Sequence, residues 1–325
     1  MRASGSVTAF APGGVGNVGP GLDILGLAVA GAGDTVRAEW TDAPGIQVRD
    51  PGHPSLPSDP ARHTAALAAR AVLDAAGERR ARGQLAGGGG IALSIRKGLP
   101  LSGGQGGSAA SAVAGAVAAN ALLGLPLDQA ALLHACLVAE ETVAGRHLDN
   151  IAASLLGGIV LVRCMHPPDI VSLPVPDELI VVLVRPEQQM LTADGRAVLP
   201  QRLPLETALH QAAQVGALVA ALAAGDYALL GRAIDDRIAE PARAGLLPGF
   251  AEAKAAALEA GALGSSISGS GPTAFALTRG RASGERVAAA MIAAYAAAGQ
   301  RSEARVAPVD RVGARLIDDQ AGGTP

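Results

Sequence analysis

The sequence predicts an α+β fold of two domains. Strand-like and helix-like stretches follow one another without a regular βαβ rhythm. A length of 325 residues is long for one compact domain. Apolar residues make up 49% of the chain, ample for a core, but only 2% are aromatic, so that core must be built from Leu, Val, Ile and Ala.

Residues 7–11 read as a short strand leading into a glycine-rich segment at 12–21. Residues 24–30 read as a second strand, and 35–40 alternate Val, Ala and Trp with polar residues as a half-buried strand does. Residues 50–59 carry three prolines and read as loop; 64–76 have helical spacing; 79–90 are polar and then glycine-rich, hence loop. Residues 91–96 alternate as a strand, followed by an alanine-rich helix to about Leu123 and a second helix over 127–144. Residues 147–154 lead into a turn and strand at 155–163, with further strands at 171–175 and 179–184. The Pro and Asp patch at 167–169 suggests a boundary between domains 1–166 and 167–325. Leu205, Leu209, Ala212, Val215, Leu218 and Leu222 step by three or four, as one face of a helix should. Helices are also expected at 226–238 and 248–260, and strand residues flank a glycine turn at 268–272. A helix over 283–298, with Ser283 as its N-cap, and a closing strand at 304–309 complete the chain. There is no internal repeat.

The net charge is −3, and the one basic cluster, Arg79, Arg80 and Arg82, reads as a solvated loop after a helix. Nucleic acid and anionic membrane surfaces are therefore poor partners. Cys136 and Cys164 have no neighbouring cysteine at metal-ligand spacing and read as small core residues of a reducing compartment. No signal peptide is visible at the N-terminus, and the longest continuous apolar runs, such as 179–184, are too short to span a bilayer. A cytoplasmic location follows as the expectation.

The most informative stretch is Lys97-Gly-Leu-Pro-Leu-Ser-Gly-Gly-Gln-Gly-Gly-Ser-Ala-Ala-Ser111, a glycine-dense loop running into a helix. Glycine allows close backbone approach and positive φ. A helix start offers unpaired N–H groups and the positive end of the macrodipole, together a site for phosphate. The loop is not a Walker A motif, because Gly107 and not a lysine stands directly before Ser108. Residues 104–109 fit G-x-G-x-x-A formally, but a Rossmann turn needs a strand directly before it and an acid closing a second strand. Here the strand at 91–96 ends well before the loop, and Asp128, about 20 residues on, stands in a turn followed by helix. Taken alone, the loop also fits a connector that binds nothing.

Two more glycine-rich segments accompany it: Pro12-Gly-Gly-Val-Gly-Asn-Val-Gly-Pro-Gly-Leu-Asp23 and Ile267-Ser-Gly-Ser-Gly-Pro-Thr-Ala-Phe275. All three, in this order and at these distances, make the chain resemble the GHMP kinases from about Val7 to Val309. Four further segments resemble the homoserine kinases within that family: His147-Leu-Asp-Asn-Ile-Ala, Leu155-Leu-Gly-Gly, Asp194-Gly-Arg-Ala-Val-Leu-Pro200 and Glu240-Pro-Ala-Arg-Ala-Gly-Leu-Leu-Pro248. The resemblance implies the GHMP kinase fold, an N-terminal ribosomal-protein-S5-like domain and a C-terminal ferredoxin-like one. It implies ATP and L-homoserine as substrates, O-phospho-L-homoserine and ADP as products in threonine biosynthesis, Mg²⁺ as cofactor, and a homodimer.

It also implies roles for particular residues. Pro100, Leu101, Ser102, Gly103, Gly104, Gln105, Gly106, Gly107, Ser108, Ala109 and Ala110 would bind ATP. Ser108 and Glu140 would hold Mg²⁺, which prefers hard oxygen ligands. The segment between Gly145 and His147 is one residue shorter than the family pattern, so Glu141 stays open as the carboxylate. Arg196 and Arg243 match positions that grip the substrate carboxylate, a task suited to a planar guanidinium. Asp23 would take the ammonium and Asn17 the reacting hydroxyl, while Asp149 and Asn150 would line the substrate pocket. Asn17, Asp23, Ser108 and Glu140 form the expected catalytic set, with His147 structural and no catalytic base assigned.

Each residue alone has an ordinary reading: Ser108 as a helix cap, Asn17 as a turn residue, either arginine as a surface charge. The chain also departs from the family pattern at Gly13, Gly14, Leu22, Gln105 and Gly107. Two alternatives therefore stand beside the first reading, a kinase of another small alcohol and a ligand-binding sensor without turnover.

Overall fold

A computed structural model describes residues 5–81, 89–124, 127–143 and 145–318. The chain opens with β1 (Ser6–Gly16), β2 (Leu25–Thr41) and β3 (Ile46–Asp50), then helix α1 (Thr64–Ala81) and β4 (Gly90–Arg96). Helices α2 (Gly107–Leu122), α3 (Gln129–Val143) and α4 (Asp149–Leu156) precede a hairpin of β5 (Ile159–Met165) and β6 (Pro168–Leu173). The remaining elements are β7 (Leu179–Pro186), α5 (Thr192–Ala197), α6 (Leu205–Ala224), α7 (Tyr227–Ala233), α8 (Ala239–Ala244), α9 (Phe250–Glu259), β8 (Gly264–Ile267), β9 (Ala274–Arg279), α10 (Arg281–Ala297), β10 (Ser302–Pro308) and β11 (Arg315–Ile317).

The strands form two sheets. The first runs β11-β1-β2-β4-β3, with β5 and β6 joining through β2; among the described residues only β3 and β4 pair in parallel. The 17-residue β2 makes this branching possible, since residues 35–41 pair with β4 and residues 25–27 with β5. The second sheet is antiparallel, in the order β10-β7-β9-β8. Numbered along the second half of the chain this is fourth, first, third, second, the ferredoxin-like order that the family resemblance implied.

Helix α2 is buried almost all round, the expected fate of a helix without a polar face. It lies between the first sheet and helices α1, α3 and α4, and alanines fill most of its contacts. Small residues let the backbones close in: a Cβ on Gly115 would sit 2.5 Å from the Ala65 carbonyl oxygen of α1. A second core, including Leu25, Leu27 and Ile159 from the first sheet and Val181, Leu183 and Phe275 from the second, joins the two sheets. A third packs the far face of the second sheet against α9 and α10.

The structure corrects several expectations. The two strands expected at 24–30 and 35–40 are one, with Gly31 at positive φ (90°) and a shift of register opposite Pro12 and Gly14. The glycine-rich segment after residue 11 stays in β1 to Gly16, because its backbone still has β2 as a ladder partner. Helix α1 runs through Arg79 and Arg80, where a loop was expected; Arg82 and Ala144 lie outside the described residues. Of the patch at 167–169, Pro167 stands in the turn of the β5–β6 hairpin and residues 168–169 already pair within β6, and the chain reaches the second sheet at Leu179. Ser283 is not a cap, since α10 already starts at Arg281 after Gly280. Asp226 caps α7 by accepting from the Leu229 N–H, but that helix stops at Ala233. There the Asp236 carboxylate takes the N–H groups of Ile238, Ala239 and Glu240 and starts α8 separately.

Helix α6 is long and apolar enough to cross a membrane by length and composition only, although its sequence holds no unbroken apolar run of that length. It rests on the molecule through Gln211, Leu218, Ala221 and Leu222.

Candidate active site

A cavity of about 980 Å³ opens where the glycine-rich segments of the two halves meet. Asn17, Asp23, Pro100, Leu101, Ser102, Gly103, Gly104, Gly106, Gly107, Ser108, Glu140, Asp149, Asn150 and Arg196 all line it. Of the other expected residues, Ala109 and Ala110 face the core, Gln105 points to Thr273, and Arg243 stands behind the wall.

The loop at 100–107 is held from the opposite half of the molecule. Thr273 Oγ1 donates to the Gly103 carbonyl at 2.5 Å and Ser268 Oγ to that of Gly104 at 2.7 Å. Gly104 has φ 71°, and a Cβ there would lie 2.6 Å from the Gly271 carbonyl oxygen, so the close approach requires glycine. Gln105, one of the departures from the family pattern, donates from Nε2 to Thr273 Oγ1 at 3.3 Å. Helix α2 then begins after Gly106 in the left-handed region, with no side-chain cap on its first N–H groups. Uncapped donors at a helix start are suited to an anion. Ser108 is the second residue of α2 and not its cap; its hydroxyl instead donates to Glu140 Oε2 at 2.8 Å.

Glu140 reaches this position because α3 buries the face that carries it. Burial pushes its pKa up to about 7; the Ser108 hydrogen bond opposes the shift, and the nearby Asp149 adds to it. Glu141 lies on the exposed side of the same helix, near Arg146. Glu140, not Glu141, therefore shares the cavity with Ser108. The pair offers two adjacent hard oxygens, a donor set that fits a divalent cation completed by phosphate oxygens and water. Among the described residues there is no cluster of three or more His, Cys, Asp or Glu that could hold a metal ion.

At the other end Arg196, in the short helix α5, donates from both terminal nitrogens to the Asp23 carboxylate, one bond at 2.9 Å. The same guanidinium donates to His147 Nδ1 at 3.0 Å, which fixes that nitrogen as an acceptor. Asn17 and Asp23 both sit at positive φ, 57° and 63°. Asn17 bridges three segments: its N–H donates to Asp149 Oδ2 at 3.0 Å, its Nδ2 to the Gly269 carbonyl at 3.1 Å, and its Oδ1 accepts from the Asp23 N–H at 2.8 Å. Asp149, at the start of α4, is buried; burial and the neighbouring Asp23 push its pKa up. Arg243 is only 1% exposed and donates to the carbonyls of Gly195, at 2.9 Å, and Gly269, at 2.9 Å. It thus fastens the residue before Arg196 to the loop that holds Asn17. Burial lowers its pKa, but a guanidinium stays charged.

Sequence reasoning missed Lys97 and Arg185, which also line the cavity, and the Ser268 and Thr273 hydroxyls that grip the loop. Lys97 was in view within the loop segment, but its buried partner Asp34 lies 63 residues away and no local pattern links them.

Residues 64–158 match the model of the GHMP kinases N terminal domain, and residues 218–297 that of the GHMP kinases C terminal. The chain is 41% identical over 323 residues to a homoserine kinase of Chlorobaculum tepidum, spanning 96% of this chain and 98% of that protein. It is 41% identical over 322 residues to a homoserine kinase of Arabidopsis thaliana, with 96% and 85% covered. The crystal structure of homoserine kinase from Cytophaga hutchinsonii superposes with a TM-score of 0.91 at 38% identity, covering 98% of this chain and 99% of that one.

Proposed function

The chain belongs to the homoserine kinases of the GHMP kinase family, and from that membership we infer that it transfers the terminal phosphoryl group of ATP to the side-chain hydroxyl of L-homoserine. The products are ADP and O-phospho-L-homoserine, an intermediate of threonine biosynthesis. One observation of the geometry carries the site assignment: a single cavity holds a phosphate-type loop at one end and the Asp23–Arg196 pair at the other. An ammonium and a carboxylate on one small molecule complement that pair, because a zwitterion can take over both bonds without changing the net charge.

Phosphoryl transfer needs mainly positioning and charge neutralisation. The N–H groups of the loop and of the first turn of α2 would bind the phosphates. Ser108 and Glu140 would hold Mg²⁺, which supplies charge neutralisation on the phosphate oxygens. Arg196 would take the substrate carboxylate and Asp23 its ammonium. Asn17, held by Asp149 and the Gly269 carbonyl, would orient the hydroxyl, with Asp149 and Asn150 closing the pocket. Arg243, bound to backbone carbonyls on two sides, supports the carboxylate end from behind the wall. No general base is assigned; in a loose transition state the hydroxyl proton leaves late, to a phosphate oxygen. Two free cysteines fit a reducing cytoplasm, and a homodimer is the assembly proposed from the family resemblance.

The test is ADP release with Mg²⁺-ATP and a panel of L-homoserine, D-homoserine, L-serine, mevalonate and galactose. Release with L-homoserine alone is the expected outcome. Silence across the panel with ATP still bound would instead support a sensor, and reversion of Gln105 and Gly107 would be the next step.

A further inference from the structure

One buried charge in the cavity wall has no part in the chemistry assigned above. Lys97, just after β4, donates to the Gly107 carbonyl at 2.9 Å and to Ser111 Oγ at 3.0 Å, and forms an ion pair with Asp34 Oδ2. An ammonium has three N–H bonds, and these three partners use them all. Asp34 is fully buried on β2; its Oδ2 also accepts from the Ser111 hydroxyl at 2.6 Å, and its Oδ1 takes the Gly98 N–H at 3.1 Å. The cluster is thus closed, and it ties the first sheet to the first two turns of α2.

We propose that Lys97 is a positioning residue for nucleotide binding: with Asp34 and Ser111 it fixes the start of α2, so that the N–H groups there and the Ser108 hydroxyl already face the phosphates. The inference rests on the kinase reading above. Gly106 and Gly107 form the loop–helix junction, where chain freedom is greatest and no side chain caps the helix. A site built from such backbone gains affinity when its donors are ordered before the ligand arrives. Lys97 supplies that order at the carbonyl of Gly107, one residue before Ser108. A free cation at a helix N-terminus opposes the macrodipole, but Asp34 neutralises this one, leaving the amides as the attracting groups. With its three donors engaged, Lys97 acts through Gly107 and not on the phosphates themselves.

Steady-state kinetics of Lys97→Met and Ser111→Ala with Mg²⁺-ATP and L-homoserine test this. Lys97→Met should raise KM for Mg²⁺-ATP about tenfold while KM for homoserine stays within about twofold. Ser111→Ala, which removes one of the three bonds, should raise KM for Mg²⁺-ATP about threefold. A structural role alone would lower Tm without splitting the two KM values. Unchanged KM for Mg²⁺-ATP in both variants would overturn the proposal. So would a lower KM in Ser111→Ala, because the released ammonium would then be binding phosphate directly. If Lys97→Met fails to fold, Ser111→Ala and the charge-balanced pair Lys97→Met with Asp34→Asn decide the matter. A wild-type chain inactive with L-homoserine would count against the kinase reading alone, and equilibrium binding of Mg²⁺-ATP to the same variants would still test the clamp.

Discussion

Glu140 is a carboxyl that folding makes hard to ionise. Its folded pKa is about 7, against ~4.3 for an unfolded glutamate. Between these values the folded state holds a proton that the unfolded chain has released, so stability falls as pH rises through the window and levels off above it. The span corresponds to a loss of the order of 4 kcal/mol. Thermal melts of metal-free and nucleotide-free protein from pH 4 to 8 should therefore show Glu140→Gln gaining on the wild type as pH rises, while losing activity. Parallel curves would show that Glu140 ionises as freely in the folded protein as in the unfolded one. At this scale the motifs made Asn17, Asp23, Ser108 and Arg196 legible, because each stands at a fixed place in a recognisable run. The family pattern favours Glu140 but leaves Glu141 open, since adjacent residues on a helix differ mainly in which one the fold buries.

Among the elements, α2 depends on close packing of small residues. Gly115→Ala would raise helix propensity by about 1 kcal/mol. Yet its Cβ would press on the Ala65 carbonyl, a backbone atom that can move only with α1. Overpacking of this kind costs about 1–3 kcal/mol, so a net loss is expected. A lower urea midpoint for Gly115→Ala would bear this out, and a higher one would mean that α1 and α2 can separate freely. The long helices and central strands were readable from their periodicity. The short elements β3, α4, α5 and β11 were not, since each has eight residues or fewer and takes its partners from distant chain. Residues 147–154, read as a lead into a strand, became α4 because Ile151, Ala152 and Leu155 pack into the core of the first half.

At the level of the whole molecule, the core shared by the two sheets couples the halves that form the cavity. Leu27 of the first sheet is 1% exposed in that core, alongside Leu183 and Phe275 of the second. Leu27→Ala should cost about 2–5 kcal/mol. Because the core is common, calorimetry of wild type and variant should each show one unfolding transition, shifted down in the variant. Two separate transitions, only one of them shifted, would show that the halves fold independently. Strand β11 adds to the coupling: after β10 of the second sheet the chain crosses back and pairs with β1 of the first.

The sequence by itself determined the α+β class, the family and the place of the glycine-rich loop before α2, because periodicity and glycine motifs are local signals that survive without knowledge of contacts. Only the tertiary structure decided that Lys97 is closed off by Asp34, that Arg196 meets Asp23 across 173 residues, and that Arg243 lies behind the wall. Such pairings depend on which faces the two sheets bury against each other, and burial is a property of the closed fold, not of any stretch of chain.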